Sequence, residues 1–146
     1  MIPRPALWLG LAGLLPFLWG VGTLLSPALA ELTLRSIGPR FVGPYVLIAY
    51  GTVILCFMSG VLWGFAAREG RWRGYALSVL PALWAFFFVG GGAVQALWAL
   101  LTGFVVLLVM DMQFGQWGLT PRWWMRLRLI LTAGVVVCLA LGLVLG

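Results

Sequence analysis

Long apolar stretches occupy almost the whole chain, and the short connectors between them carry its arginines. Because 64% of the residues are hydrophobic and only 8% are charged, a water-soluble fold of 146 residues could not bury this much apolar surface. About 20 consecutive apolar residues cross a bilayer as a helix. The sequence therefore predicts an all-α, polytopic membrane protein that forms a single transmembrane domain over residues 1–146.

The number of spans depends on one uncharged stretch that is too long for a single helix. Gly74 to Met110 carries no charged residue, and as one helix it would be about 55 Å long, against a hydrocarbon core of about 30 Å. The glycine triplet at 90–92 divides this stretch, which predicts a tight hairpin of two spans. The five predicted spans cover approximately residues 6–25, 44–67, 74–90, 93–110 and 123–146.

The N-terminal segment has features of a secretory signal peptide. Arg4 is followed by an apolar run and then by Ala28-Leu29-Ala30, which fits the pattern of a cleavage site. The run from Ala6 to Leu25, however, is about as long as a full bilayer span and longer than the usual apolar core of a signal. This length favours a helix that is retained in the membrane.

The distribution of arginine predicts the orientation in the membrane. The nine basic residues are all arginine, and they divide unequally between the two membrane surfaces. The surface of the N-terminus carries Arg4, Arg68, Arg71, Arg73, Arg122, Arg126 and Arg128, whereas the opposite surface carries Arg35 and Arg40. The positive-inside rule therefore predicts a cytoplasmic N-terminus and a periplasmic C-terminus.

The basic surface is also rich in tryptophan, whose amphipathic ring prefers the depth of the lipid headgroups. The predicted interface belt comprises Trp63, Trp72, Trp123 and Trp124. The formal charge of +6 does not indicate a nucleic-acid binder, because the arginines flank apolar segments instead of clustering on a soluble module. Anionic lipid headgroups are the predicted counter-charge.

The connector between the first two spans predicts a short helix at the outer interface. Ser26 followed by Pro27 is a typical helix N-cap with proline at the first helical position. Glu31 and Arg35 lie four residues apart in the order that favours pairing on a helix. Gly38 then supplies a stop signal.

Asp111 is the one acidic residue that is directly attached to a predicted span. It lies at the C-terminal end of the fourth span, where the helix dipole disfavours negative charge. Because Arg122, Arg126 and Arg128 begin the next span at the same surface, an ion pair between Asp111 and one of them is predicted. The functional alternative is a proton or ion site at Asp111.

Small residues and prolines indicate how the spans pack. Small residues at four-residue spacing predict packing faces at Gly60 and Gly64, and at Gly134, Cys138 and Gly142. Within the spans, Pro16 and Pro81 each predict a kink. The two prolines occur in similar segments, LPFLW and LPALW, which raises the hypothesis of a duplicated helix pair.

No residue set in the sequence indicates catalysis. The absence of histidine removes the commonest metal and haem ligand, and there is no Ser-His-Asp set, metal-ligand cluster or phosphate-binding glycine loop. Cys56 and Cys138 fall inside apolar spans, where a free thiol behaves as a small hydrophobe. The chain is predicted not to be an enzyme and to bind no metal or cofactor.

Four segments resemble those of an uncharacterised family, a domain of unknown function. The most specific is YGTVILCFMSGVLWG, from Tyr50 to Gly64, and the others are LGLAGLLPF, SVLPAL and PRWWMRLRLILT together with Asp111. Its members are small proteobacterial inner-membrane proteins and the mitochondrial transmembrane protein 69. Two positions depart from the family pattern: Ser59 replaces a usual glycine, and Leu62 replaces a residue that is commonly basic or polar. The family has no established activity, so the resemblance implies a topology and not a reaction.

These observations predict a non-catalytic accessory or assembly subunit of a larger respiratory or photosynthetic complex in the bacterial inner membrane. Its predicted partners are the lipid bilayer and other membrane-protein subunits, and no nucleic acid. The alternative is a small transporter or channel that uses the two proline-kinked helices. That alternative requires a polar cavity at mid-membrane, lined by Tyr50, Ser59, Ser78 or Gln95.

Overall fold

The computed structural model describes residues 1–146 as a bundle of α-helices without β-strands. The helices are α1 (Arg4–Ala12), α2 (Leu15–Leu25), α3 (Pro27–Ser36), α4 (Gly43–Glu69), α5 (Trp72–Phe88), α6 (Ala93–Gln116) and α7 (Trp124–Leu145). A single 3₁₀ turn, Pro39–Phe41, joins α3 to α4. The prediction of an all-α polytopic membrane protein is confirmed.

Four helical segments are long and apolar enough to cross a membrane. They are Arg4–Leu25, which comprises α1 and α2, and then Gly43–Glu69, Ala93–Gln116 and Trp124–Leu145. Helix α5 has 17 residues and is therefore about 26 Å long, a few ångströms less than a typical hydrocarbon core. The segment predicted to hold two spans does divide at the glycine triplet, because α5 ends at Phe88 and α6 begins at Ala93.

The two prolines affect their helices differently. Pro16 has no N–H to donate to the carbonyl four residues earlier, and its ring clashes with that carbonyl. The helix accordingly ends at Ala12 and resumes at Leu15. Pro81 instead lies inside α5, which continues without a break.

A serine from the neighbouring helix accompanies Pro81. The Ser59 hydroxyl on α4 donates a hydrogen bond to the Ser78 carbonyl of α5 and accepts one from the Ala82 N–H at 3.3 Å. A side chain that enters the backbone ladder of a helix is one recognised companion of a bend. The contact also ties α4 to α5 and gives the Ser78 carbonyl a hydrogen-bonding partner outside its own helix.

The short helix predicted in the connector between the first two spans is present as α3. The Ser26 hydroxyl caps it by accepting the Leu29 N–H at 3.3 Å, and Glu31 pairs with Arg35. Next to this helix, the Thr23 hydroxyl accepts a hydrogen bond of 2.7 Å from the Gly43 N–H. The end of α2 and the beginning of α4 are thereby held together.

The core lies where α4 packs against α2, α5 and α6, and its largest side chains are apolar. Fully buried members include Phe17, Leu47, Leu55, Leu100, Phe104 and Leu107. At Gly142 the backbone of α7 lies close to α4, so that an added Cβ would be 2.7 Å from Leu47 Cδ1. A side chain at that position would force the buried Leu47 side chain to move.

The two predicted packing faces have opposite orientations. On α7, Gly134 and Gly142 meet side chains of other helices, and Cys138 is buried between them. On α4, a Cβ added at Gly60 or Gly64 would meet no atom within 4 Å. The α7 stripe therefore packs inside the chain, whereas the α4 pair faces outward.

Candidate functional site

A buried cluster of one acid, one indole and one guanidinium joins α6 to α7. Asp111 is fully buried near the C-terminal end of α6. Its Oδ2 accepts a hydrogen bond of 2.9 Å from Arg128 Nε, and its Oδ1 accepts one of 3.0 Å from Trp124 Nε1. We call Asp111, Trp124 and Arg128 the Asp111 cluster.

The helical repeat explains why Arg128, of the three predicted arginines, is the partner of Asp111. Trp124 and Arg128 are four residues apart at the start of α7, so they lie on the same face, toward α6. Arg122 and Arg126 are exposed. Arg126 lies midway between the two cluster residues in sequence, which places it on the opposite face of the helix.

The connector between α6 and α7 is held by a second arginine contact. Arg68, at the end of α4, donates from Nη1 to the Leu119 carbonyl at 3.0 Å. Gly118 takes a φ of 73°, a left-handed conformation in which a residue with a side chain would be strained. The turn thereby brings the start of α7 back against the end of α6.

The Asp111 cluster is electrically neutral within the bundle. The Arg128 side chain is 5% exposed and the Asp111 side chain 0%. Moving a single charged side chain from water into the interior of a bundle costs roughly several kcal/mol. An opposite charge in hydrogen-bonding contact offsets that cost. Each member therefore depends on the other to remain buried.

Two polar atoms near the cluster have no hydrogen-bonding partner. Arg128 Nη2 and Thr132 Oγ1 are both buried, and neither contacts a donor or acceptor. The two residues are four apart on α7 and line the same cavity of about 170 Å³. We call this space the Arg128 cavity.

The remaining walls of the Arg128 cavity are apolar or lack a side chain. They come from the α1–α2 segment, α4, α6 and α7, and include Gly10, Gly13, Leu14, Phe17, Met58, Phe104 and Val135. Two further wall residues, Leu9 and Phe57, are 75% and 65% exposed. The cavity therefore reaches the outer surface of the bundle between α1 and α4.

Each proline lies beside another, larger cavity. Pro81 lines one of about 410 Å³ between α5 and α6, and Pro16 lines one of about 560 Å³ that also contacts Tyr50 and Arg40. Both have mainly hydrophobic walls and open outward.

The transporter hypothesis names four polar residues, any of which could line its cavity, and Tyr50 alone of the four lines one of the three cavities described. Ser59 and Ser78 are buried and bonded within the α4–α5 contact, and Gln95 is exposed at the start of α6. Tyr50 lines the Pro16 cavity without the other three.

The predicted tryptophan belt divides into exposed and inward members. Trp63 and Trp72 are exposed, Trp123 is half-buried, and Trp124 belongs to the Asp111 cluster. At the same surface, Arg73 forms two hydrogen bonds with Glu69, at 2.9 and 3.0 Å, and its guanidinium lies 4.1 Å from the Trp117 ring centre.

Sequence reasoning did not identify Thr132 or the role of Trp124. The available signal was the spacing of Trp124, Arg128 and Thr132 at four-residue intervals along one face of α7. No group of three histidine, cysteine, aspartate or glutamate side chains converges in the structure. Arg128 and Thr132 are the residues of the Arg128 cavity that carry unpartnered polar atoms, and they could hold a ligand there.

Comparison with known proteins places the chain in a family. Residues 2–144 match the family described as Protein of unknown function (DUF3429). Transmembrane protein 69 of Xenopus tropicalis is 33% identical over 149 aligned positions, which cover 97% of this chain and 54% of the relative. Transmembrane protein 69 of Mus musculus is 28% identical over 150 positions, covering 98% and 57%.

The chain thus spans little more than half the length of these curated relatives. No solved structure is significantly similar to it. The resemblance to an uncharacterised family related to transmembrane protein 69 is confirmed. On the match over nearly its whole length, the chain belongs to the DUF3429 family of multi-pass membrane proteins of unknown function.

Proposed function

We propose that this protein is a non-catalytic accessory or assembly subunit of a larger complex in the bacterial inner membrane, of the respiratory or photosynthetic kind. In this proposal α5 crosses the membrane as a fifth span, the N-terminus is cytoplasmic and the C-terminus is periplasmic. The excess of arginine at one surface supports the orientation. The length of α5, a few ångströms under a typical core, is within what local thinning of the bilayer accommodates.

The outward face of α4 is the observation that carries the proposal. Val53, Phe57, Gly60, Gly64 and Ala67 are all exposed, and their spacing places them along one side of the helix. Because the two glycines have no side chain, this face offers a groove in which a second helix backbone could approach closely.

The groove on α4 matters because helices associate in a bilayer mainly through close packing. Lipid tails are as apolar as leucine, so helices in a bilayer gain little from burying apolar surface and depend on close packing. Inside this chain, Gly142 and Gly134 serve that purpose. The pair on α4 has the same spacing as such packing sites but no partner within the chain, which supports a helix of another subunit as its occupant.

The test replaces Gly60 and Gly64 together by leucine in the native host. The expected result is a shift of the chain from a high-mass band to a low-mass band on native gels of mild-detergent extracts. Ala133→Leu is the matched control, because Ala133 is a small, exposed residue on α7. If the double variant keeps the native size of the wild-type chain, or if the wild-type chain itself runs as a monomer, the proposal is wrong.

A further inference from the structure

We propose that the Arg128 cavity is a binding site for the neutral carbonyl oxygen of a membrane-soluble molecule, either a quinone ring or the acyl ester of a lipid. The cavity opens between α1 and α4 and shares Phe57 with the outward face of α4, but the inference rests on the donors of α7 and not on the groove at Gly60 and Gly64. It starts from the two unpartnered atoms, Arg128 Nη2 and Thr132 Oγ1.

Both atoms belong to side chains that can donate a hydrogen bond. A guanidinium has donors only, and a threonine hydroxyl can donate as well as accept. The two residues are 4% exposed and line one cavity. A buried donor without a partner is unfavourable, so a ligand that brings an acceptor oxygen within reach of either atom gains a hydrogen bond there.

The charge of the site selects a neutral acceptor. The guanidinium of Arg128 is already compensated by Asp111 through the contact of 2.9 Å. A carboxylate or phosphate would therefore add an uncompensated negative charge to an apolar cavity, at a large desolvation cost. A carbonyl oxygen accepts the same hydrogen bonds and adds no charge.

The size of the cavity limits the bound group to one ring or a short chain segment. Its volume is about 170 Å³, and an apolar cavity of roughly 150 Å³ in another protein is known to hold benzene. A larger molecule must leave the rest of its length outside. The exposed rim residues Leu9 and Phe57 show where a tail could continue, toward the lipid-facing surface.

The position of the donors along α7 suits a ligand that arrives through the bilayer. Arg128 and Thr132 are four and eight residues beyond Trp124, where α7 begins. This places them roughly 6 and 12 Å along the helix from its start. That depth is below the headgroups but within reach of the ester and ring portions of membrane-soluble molecules.

The experiment uses the full-length chain in nanodiscs of diether phospholipid, which contain no ester carbonyl. A short-tailed benzoquinone is titrated into the discs and its binding is followed by calorimetry. In a second arm, the chain is exchanged into mixtures of diester and diether phospholipid of equal headgroup, and the lipid that remains bound is identified by native mass spectrometry. The expected result is saturable binding of the quinone, selective retention of the diester lipid, or both.

Thr132→Val tests the site, because it removes the hydroxyl and nearly preserves the shape. The expected loss is about fivefold in affinity, as for one neutral hydrogen bond. The control is Thr102→Val, which removes a hydroxyl from the Pro81 cavity and should leave binding unchanged. A fatty-acid anion should compete less well than its methyl ester.

The arms separate the two sources of the carbonyl. Quinone binding without lipid selectivity assigns the site to a quinone, and the reverse assigns it to a lipid ester. The proposal is overturned if neither probe binds, if Thr132→Val leaves the affinities unchanged, if Thr102→Val weakens them equally, or if the anion competes better than the ester. These outcomes are distinct from the gel shift that tests the α4 groove.

Discussion

Replacement of Asp111 by asparagine is expected to destabilise the fold strongly, because it leaves the Arg128 guanidinium buried without a counter-charge. The Arg128 side chain is 5% exposed, so its charge is almost completely out of contact with water. Breaking a buried pair by removing one partner typically costs about 3–5 kcal/mol. That cost lowers the folding equilibrium constant by about two to four orders of magnitude.

Two further variants isolate how much of this destabilisation comes from the unpaired charge of Arg128. The double variant Asp111→Leu with Arg128→Met replaces both charges by apolar side chains and is expected to recover most of the loss, since buried pairs replaced together are often neutral. Glu31→Gln breaks the Glu31–Arg35 pair, whose side chains are 61% and 76% exposed. That change is expected to cost less than about 1 kcal/mol.

The assay is reversible unfolding of the purified chain in mixed micelles, followed by far-UV circular dichroism as the denaturing detergent is increased. The reasoning about the Asp111 cluster is refuted if Asp111→Asn costs no more than Glu31→Gln. It is also refuted if the double variant is less stable than Asp111→Asn, because the instability would then not come from an unpaired charge.

Three further predictions follow from the packing and the proposed topology. Ser59→Ala should destabilise the chain by about 1–3 kcal/mol in the same unfolding assay, because the hydroxyl bridges two backbone groups of α5; an unchanged midpoint would contradict this role. Gly142→Ala should lower the free energy of unfolding by about 1–3 kcal/mol through overpacking against Leu47. Gly60→Ala, whose Cβ would meet no atom within 4 Å, should leave that free energy unchanged or raise it by up to about 1 kcal/mol. Equal effects of the two variants would show that α4 is not free at this face. A reporter inserted after Gly70 should be active in the cytoplasm and one inserted after Gly91 in the periplasm, because α5 lies between them; activity of both on one side would exclude α5 as a span.

The helical segments were predictable because their signals are local. The apolar lengths, the glycine triplet and the Ser26-Pro27 cap each act through a few neighbouring residues. Four of the five predicted spans are long and apolar enough to cross a membrane, the helices divide at the triplet, and the cap is formed. The break at Gly13 and Leu14 follows from Pro16 in the same way, although its place one turn earlier was not predicted.

Contacts between helices were less accessible to sequence reasoning. Nothing in the sequence near Ser59 indicates that its hydroxyl would reach the backbone beside Pro81. From the sequence, Trp124 could not be distinguished from the other tryptophans of the predicted interface belt. Its donation to Asp111 depends on the turn that returns α7 against α6.

By itself, the sequence determined that lipid surrounds the helices, that the fold is all-helical, and that the partner of Asp111 is one of three arginines. It could do so because apolar length and charge position act over short distances. Only the tertiary structure decided that the partner is Arg128, that the α7 stripe faces inward while Gly60 and Gly64 face outward, and that Arg128 and Thr132, each with an unpartnered atom, line one cavity. The physical reason is that a lipid-facing and a buried apolar face have nearly the same composition. Which side of a helix points inward is therefore settled by packing and not by hydrophobicity.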